Sequence, residues 1–551
     1  MEKEKQFVPR RLKVWLPLLL SLVLVLGMLV GIKMQPNPPE VAVVTKKQQI
    51  PPSALGQGKI EEFIRYIEAK YVDDINRDEL VKEAIDNILK QLDPHSNYIS
   101  ADRLKEVNEQ LEGNFEGIGI EFLILDDTIV VVSPLAGGPS EKAGILTGDK
   151  IVEIGDSLVA GIHITTAGIM AELRGAKGTE VTIGILRGNE KEIRPFTITR
   201  DKIPVHSVDV AYMLDEETGY IKINRFSAKT YKEFMEGLEN LVEKKGMKDL
   251  VIDLRQNPGG YLQEATDILS QLFKEKNKLL VYTEGRTASR SDYESTGRSF
   301  YDIENLAVLI DEGSASASEI LAGAIQDWDR GIIVGRRSFG KGLVQEQYRL
   351  RDGSALRLTV ARYYTPSGRL IQKSYDNLKA YDEDVSNRLK HGEMYNKDSI
   401  PIADTTVFHT AGGRVVYGGG GITPDYFIPL DPNLLNDYYL HLRPFIRPFV
   451  FRYLSGHKAD FEQMTLEEFK PKPIVNEKVL KDFMAFAKQR GVKNNSRQWR
   501  RVKPEISRLI KAHLSKNLFG DKGYYAVWNA EDKTVEKALE VLKQKNPLSL
   551  K

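Results

Sequence analysis

The sequence predicts an α/β protein whose centre is a largely parallel sheet. A small β domain and a helical module precede that centre, and a helical extension follows it. Three observations carry this reading. From Gly219 onward, short apolar runs alternate with amphipathic stretches, the mark of βαβ units. Residues 115–200 are instead β-like runs separated by glycine-rich turns. Residues 59–112 and the stretch beyond Pro432 show helical periodicity.

In chain order, the uncharged run 14–32 comes first, behind Lys3, Lys5, Arg10, Arg11 and Lys13. It is close to the ~20 apolar residues that cross a bilayer core. The basic flank keeps that end cytoplasmic and sends the rest outward. We expect an N-terminal membrane anchor (1–32) in a bacterial inner membrane, single-pass, with the remainder in the periplasm or otherwise extracytoplasmic. A cleaved signal peptide is the alternative. Residues 33–58 are polar and proline-bearing, as a linker is.

The helical module, 59–112, is marked by Ile60, Phe63, Ile64 and Ile67, then Leu80, Ala84, Ile88 and Leu89. Asp93-Pro94-His95-Ser96 breaks it with turn chemistry. In 113–201, strands are expected at 118–125, 128–132, 150–154 and 180–186. The loop Gly117-Ile118-Gly119-Ile120, followed by a proline, small residues, Ala143-Gly144-Ile145 and Gly148-Asp149, resembles a PDZ domain. Such a loop lets backbone N–H groups converge on a carboxylate. The next strand edge then adds a peptide by β-augmentation.

For 202–430, strands are expected at 220–223, 250–254, 306–310 and 332–334, with helices at 231–244, 265–273 and 318–328. Catalytic groups should lie just past strand ends. Residues 431–551 are aromatic and basic at first (Tyr438, Tyr439, Phe445, Phe449) and end in amphipathic helices.

Composition excludes several chemistries. With 78 Lys+Arg against 77 Asp+Glu, nothing marks a nucleic-acid binder. With no cysteine there is no thiol nucleophile, thiolate metal site or disulfide. Only 8 histidines occur, none near the serine cluster in sequence, and none has zinc-peptidase spacing. No metal or other cofactor is expected.

The chemistry concentrates in Gly313-Ser314-Ala315-Ser316-Ala317-Ser318-Glu319 and Phe339-Gly340-Lys341-Gly342. Ser316 opens a helix. With Glu319 it matches a capping box, so it could merely cap. A helix start also brings free N–H groups and partial positive charge, so the Ala317 amide could stabilise an oxyanion. Lys341 can act as a base only when neutral, about 3 units below its free pKa. Burial among Ile332, Ile333, Val334, Phe339, Leu343 and Val344 would supply that shift. Gln345 reaches Lys341 whether the segment is strand or helix. Gly259 and Gly260 let the backbone approach a ligand closely and offer a second oxyanion donor. Gly335 to Lys341 also matches a phosphate loop, but position 342 is glycine where Ser or Thr would ligate magnesium.

These segments resemble the carboxyl-terminal processing peptidases, or tail-specific proteases, over residues 59–430. Asp253-Leu254-Arg255-Gln256-Asn257-Pro258-Gly259-Gly260, Tyr364-Thr365-Pro366-Ser367-Gly368-Arg369 and Gly418 to Asp425 add to the match. The resemblance implies a core of the Clp protease/crotonase type with an inserted PDZ domain. It implies Ser316 as nucleophile rather than Ser314 or Ser318, Lys341 as base and Gln345 to orient it. Asp327 matches an aspartate credited with catalysis in some members, but its charge would hold Lys341 protonated. The expected partners are proteins or peptides with free apolar C-termini, the membrane through the anchor, and an adaptor lipoprotein or a second copy of the chain. A non-catalytic PDZ adaptor and a lipid or retinoid carrier of the same fold are the competing readings.

Overall fold

The computed structural model describes residues 58–544, apart from Asn189 and Ala403. The expected membrane segment and linker therefore lie outside the described residues. Among the described residues, no helix is long and apolar enough to cross a membrane. The chain divides into two units at 81/82.

In the first unit, helix Lys59–Lys70 carries Glu61 and Glu62 in its first turn and Lys70 in its last, matching the helix dipole. Of its predicted apolar stripe, Ile64 is buried, whereas Ile60 and Phe63 stand exposed among the described residues.

In the second unit, helix Ala101–Glu112 ends at Gly113 in the left-handed region. Strand Asn114–Gly117 follows and pairs antiparallel with Asp201–Pro204. Entry to and exit from the small β domain are thus zipped together, as an insertion requires. Its sheet runs in the order Ile120–Leu125, Thr128–Pro134, Lys150–Ile154, Glu180–Leu186, Arg194–Thr199, all antiparallel. Ile129, Val131, Ile151, Ile183 and Ile185 fill its core. The Gly148-Asp149 signature has a structural reason. The buried Asp149 carboxylate accepts the Leu146 amide and the Arg187 guanidinium, each at 2.8 Å.

The central sheet runs in the order Val208–Met213, Thr218–Ile223, Asp249–Asp253, Leu306–Ile310, Ile332–Gly335, Tyr426–Phe427. Its first pair is antiparallel and the rest parallel. The four strands expected from sequence are all present. Alternate residues face opposite layers. Leu250, Ile252, Val308, Ile310 and Ile333 pack against helices Thr230–Glu239, Leu262–Leu272 and Ala317–Asp327. Val251, Ala307, Leu309, Ile332 and Val334 pack against Val535, Ala538, Val541 and Leu542 of the last helix, Lys533–Leu542. The end of the C-terminal extension is therefore the second layer of the core. Burial on both faces explains why these strands read as unbroken apolar runs.

The rest of the extension has its own core, including Phe449, Phe483, Phe486 and Ile506. Helix Ser496–Trp528 joins the two regions. It breaks at Gly520, whose φ of 71° a residue with a Cβ rarely adopts, and so turns Tyr525 and Ala526 onto the sheet. Leu542→Ala should cost about 3 kcal/mol, read as a lower denaturant midpoint, because it opens a cavity in the core rather than in an appendage.

A second sheet was not expected. Leu343–Arg349, Asn97–Ile99 and Lys276–Glu284 all pair with Ala355–Tyr364, and Ser291–Thr296 extends it. Gln345 thus lies on a strand, which settles its helix-or-strand ambiguity.

Candidate active site

Three loops leave the C-terminal ends of neighbouring parallel strands. Asp249–Asp253 leads to Gly259 and Gly260, Leu306–Ile310 to Ser316, and Ile332–Gly335 to Lys341. Ligand sites of open α/β sheets form at this edge.

Ser316 has φ 56° and ψ −115°. A non-glycine residue held there stores about 1–3 kcal/mol of strain. The surrounding loop holds it in place. Ser314 Oγ donates to the Leu254 carbonyl at 2.9 Å, Ser318 Oγ to the Asn257 carbonyl at 3.0 Å, and the Ala315 amide to the same Asn257 carbonyl at 3.0 Å. Ser314 and Ser318 are fully buried, whereas Ser316 is not. The three serines look alike in sequence, and burial, hydrogen bonding and backbone conformation separate them in the fold.

The Ser316 and Lys341 loops meet on Glu319, which sequence reasoning took for a helix-capping partner. Glu319 is fully buried. Its Oε2 accepts the amides of Ser316 (2.9 Å) and Lys341 (2.8 Å). Its Oε1 accepts the Gly340 amide (2.7 Å) and the Ser338 hydroxyl (2.5 Å). Burial raises its pKa, and these four donors oppose that rise. The Glu319 amide is taken at 2.8 Å by the Ser316 carbonyl, so the Glu319 side chain on the Ser316 amide is the firm half of the capping box. The buried Tyr363 hydroxyl adds a second tie, lying against the Lys341 carbonyl and 3.1 Å from that of Ser316.

Lys341 Nζ donates to Gln345 Oε1 at 3.1 Å. Burial lowers its pKa, as does the positive charge of Arg357, while Glu319 and Asp93 oppose the shift. Gln345 Nε2 is buried and has no partner among the described residues. His95 donates to or accepts from the Tyr381 hydroxyl at 2.7 Å. Burial, and after it the charge of Lys341, push His95 down to about 4, so it is neutral near pH 7. Sequence had set every histidine apart from the serine cluster. The fold brings His95 into the electrostatic environment of Lys341 because the Asp93–Ser96 turn docks on strand Ala355–Tyr364, with Thr359 donating to Asp93 and Ser96. Neither Arg357 nor His95 carries a local sequence signal.

Gly259 sits directly behind Ser316. A Cβ there would lie 2.7 Å from Ser316 Cβ and 2.7 Å from the Ala315 carbonyl. Its amide is already donated to Asn257 Oδ1 at 2.9 Å, which removes one of the three expected oxyanion donors. The amides of Ala317 and Gly260 have no partner among the described residues. Asp327 closes the far end of the Ser316 helix. Its carboxylate is held by Arg369 at 2.7 Å and the Ser367 amide at 3.0 Å, and it is not among the charges that shift Lys341.

In the inserted domain, Gly117 ends its strand, Ile118 is buried and Ile120 begins the edge strand Ile120–Leu125. Gly119 has φ 74°.

Residues 217–378 match peptidase family S41, 117–193 a PDZ domain, and 438–520 a family of unknown function. A carboxy-terminal-processing protease of Bartonella bacilliformis is 34% identical over 394 residues, covering 70% of this chain and 87% of the relative. The carboxy-terminal processing protease CtpB of Bacillus subtilis is 38% identical over 320 residues, covering 57% of this chain and 65% of the relative. A probable CtpA-like serine protease of Staphylococcus aureus is 36% identical, covering 57% and 62%. The chain thus spans somewhat less than two thirds of the length of these last two. A photosystem II D1 C-terminal processing protease structure is 27% identical with a TM-score of 0.35, covering 69% of this chain and 89% of its own. The fold and loop set define a peptidase of family S41 that carries a PDZ domain. Within that class, the chain belongs to the carboxy-terminal processing proteases.

Proposed function

We propose that this chain is an extracytoplasmic serine endopeptidase that captures substrate C-termini on its PDZ domain and cuts peptide bonds with Ser316 and Lys341. The observation that carries the reading is the single buried carboxylate, Glu319, that binds the amides of both residues. Neutral Lys341 takes the Ser316 proton and Ser316 Oγ attacks the scissile carbonyl. The amides of Ala317 and Gly260 face the developing oxyanion. Lys341 passes the proton to the leaving amine, and an ester to Ser316 remains. Water, deprotonated by Lys341, then releases the acyl group. Gln345 accepts from Nζ at 3.1 Å and so fixes the position of the amine. The basic residues ahead of 14–32 support anchoring in the inner membrane with the catalytic part in the periplasm. An adaptor lipoprotein or a second copy of the chain fits the same reading as a partner.

The test is cleavage of an unfolded protein with an apolar C-terminus by the full chain, with Ser316→Ala as control. Turnover by the first and not the second is expected. Absence of turnover by both, with the C-terminal peptide still bound, would favour the adaptor reading. Absence of turnover and of peptide binding would leave the lipid carrier.

The rate should also depend on pH. Protonated Lys341 is inactive and its pKa is lowered. Activity therefore climbs as pH rises through that lowered value and levels off above it. A flat initial rate between about pH 6 and about pH 9 would overturn the role of Lys341 as base.

A further inference from the structure

The edge strand Ile120–Leu125 pairs with Thr128–Pro134 on one side and with no described strand on the other. Its alternate residues divide cleanly. Ile120, Phe122 and Ile124 pack into the PDZ core. Glu121 and Leu125 face the C-terminal extension. Glu121 pairs with Arg447 on helix Ile446–His457, which lies against this strand, and Leu125 packs on the extension's own core. Just past the strand, Asp126 pairs with Arg490, which ends the neighbouring helix Glu477–Gln489 and covers the Phe486 ring at 3.7 Å. Arg447 uses one guanidinium nitrogen in its pair, leaving Nε and Nη1 without a hydrogen-bond partner among the described residues, and its side chain is 51% exposed.

A peptide added to the open edge must also alternate its side chains. Every second one points to the face shared by Glu121 and Leu125. We propose that the C-terminal extension is the outer wall of the peptide site, and that Arg447 and Arg490 select acidic side chains at alternate positions upstream of the captured C-terminus. This rests on the PDZ-capture reading above. The PDZ side of the groove then reads one set of residues and the extension reads the other.

The test uses full-length protein with Ser316→Ala, so that ligand survives, and three fluorescent peptides sharing one apolar C-terminal tripeptide. One carries alanines upstream, one carries glutamates at odd upstream positions, and one carries them at even positions. One glutamate phase should bind about fivefold tighter than the alanine peptide, the size expected for a partly exposed ion pair, and the other phase should not. Arg447→Ala with Arg490→Ala should erase the difference between the glutamate and alanine peptides, while an unchanged far-UV circular dichroism spectrum and thermal midpoint show that the variant is folded. Equal binding of all three peptides would overturn the wall while leaving PDZ capture intact. Equal gain from both glutamate phases would reduce it to general charge attraction and overturn it as well. Failure of every peptide to bind would sink the capture reading itself and this inference with it.

Discussion

Lys341→Ala should lower cleavage by about 10³-fold or more, and Lys341→Arg should not restore it. General-base catalysis contributes about 10²–10⁴-fold. Arginine cannot serve, because its guanidinium stays protonated. Ser316→Ala should fall to a similar floor, and the double variant should fall no further, since the two side chains act on one proton. A double variant slower than either single one by the product of their effects would mean that they work in separate steps. The environment of Lys341 supplies a finer check. Arg357 disfavours the protonated amine, so its positive charge helps to lower the pKa. Arg357→Gln removes that charge and raises the Lys341 pKa, so the rising limb of the pH–rate profile moves to higher pH. A limb that stays in place would mean that burial alone sets the pKa.

The parts of this site differ in how far sequence reveals them. The strands of the central sheet were legible because burial on both faces makes them apolar throughout, and their order of alternation with helices forces parallel pairing. The inserted domain was legible because turn glycines punctuate it. The second sheet was not. Ala355–Tyr364 buries only Ala355, Ala361 and Tyr363 firmly, so it lacks a strong period. The last helix could be read as a helix, but its role as the second layer could not. Its amphipathic pattern states that one face is buried and does not name the partner. At the site, Ser316 and Lys341 stood out through glycine-rich loops. The tie between them did not, because Glu319 looks like any N3 glutamate of a capping box. Its second duty, toward Gly340 and Lys341, depends on a loop that returns from the next strand.

That tie makes Glu319 the most consequential position outside the reacting pair. Glu319→Ala would leave the amides of Ser316, Gly340 and Lys341 and the Ser338 hydroxyl without their acceptor in a fully buried place. At about 1–3 kcal/mol for each orphaned donor, the loss is roughly 4 kcal/mol or more, a large part of the stability of an ordinary domain. Glu319→Gln is the sharper probe. It keeps the volume and one acceptor oxygen, but it points an NH2 group at two of the donors. It also removes the negative charge that raises the Lys341 pKa. Chemical denaturation should show a smaller loss than for alanine. Cleavage should fall, because the Ser316 and Lys341 loops are no longer drawn to one anion. Whatever activity survives should have its rising limb at lower pH, opposite to the Arg357→Gln shift. A variant that merely unfolds in part would lose amplitude without moving the limb. A Glu319→Gln enzyme with full activity and an unmoved pH profile would show that the serine and lysine hold their places without this carboxylate.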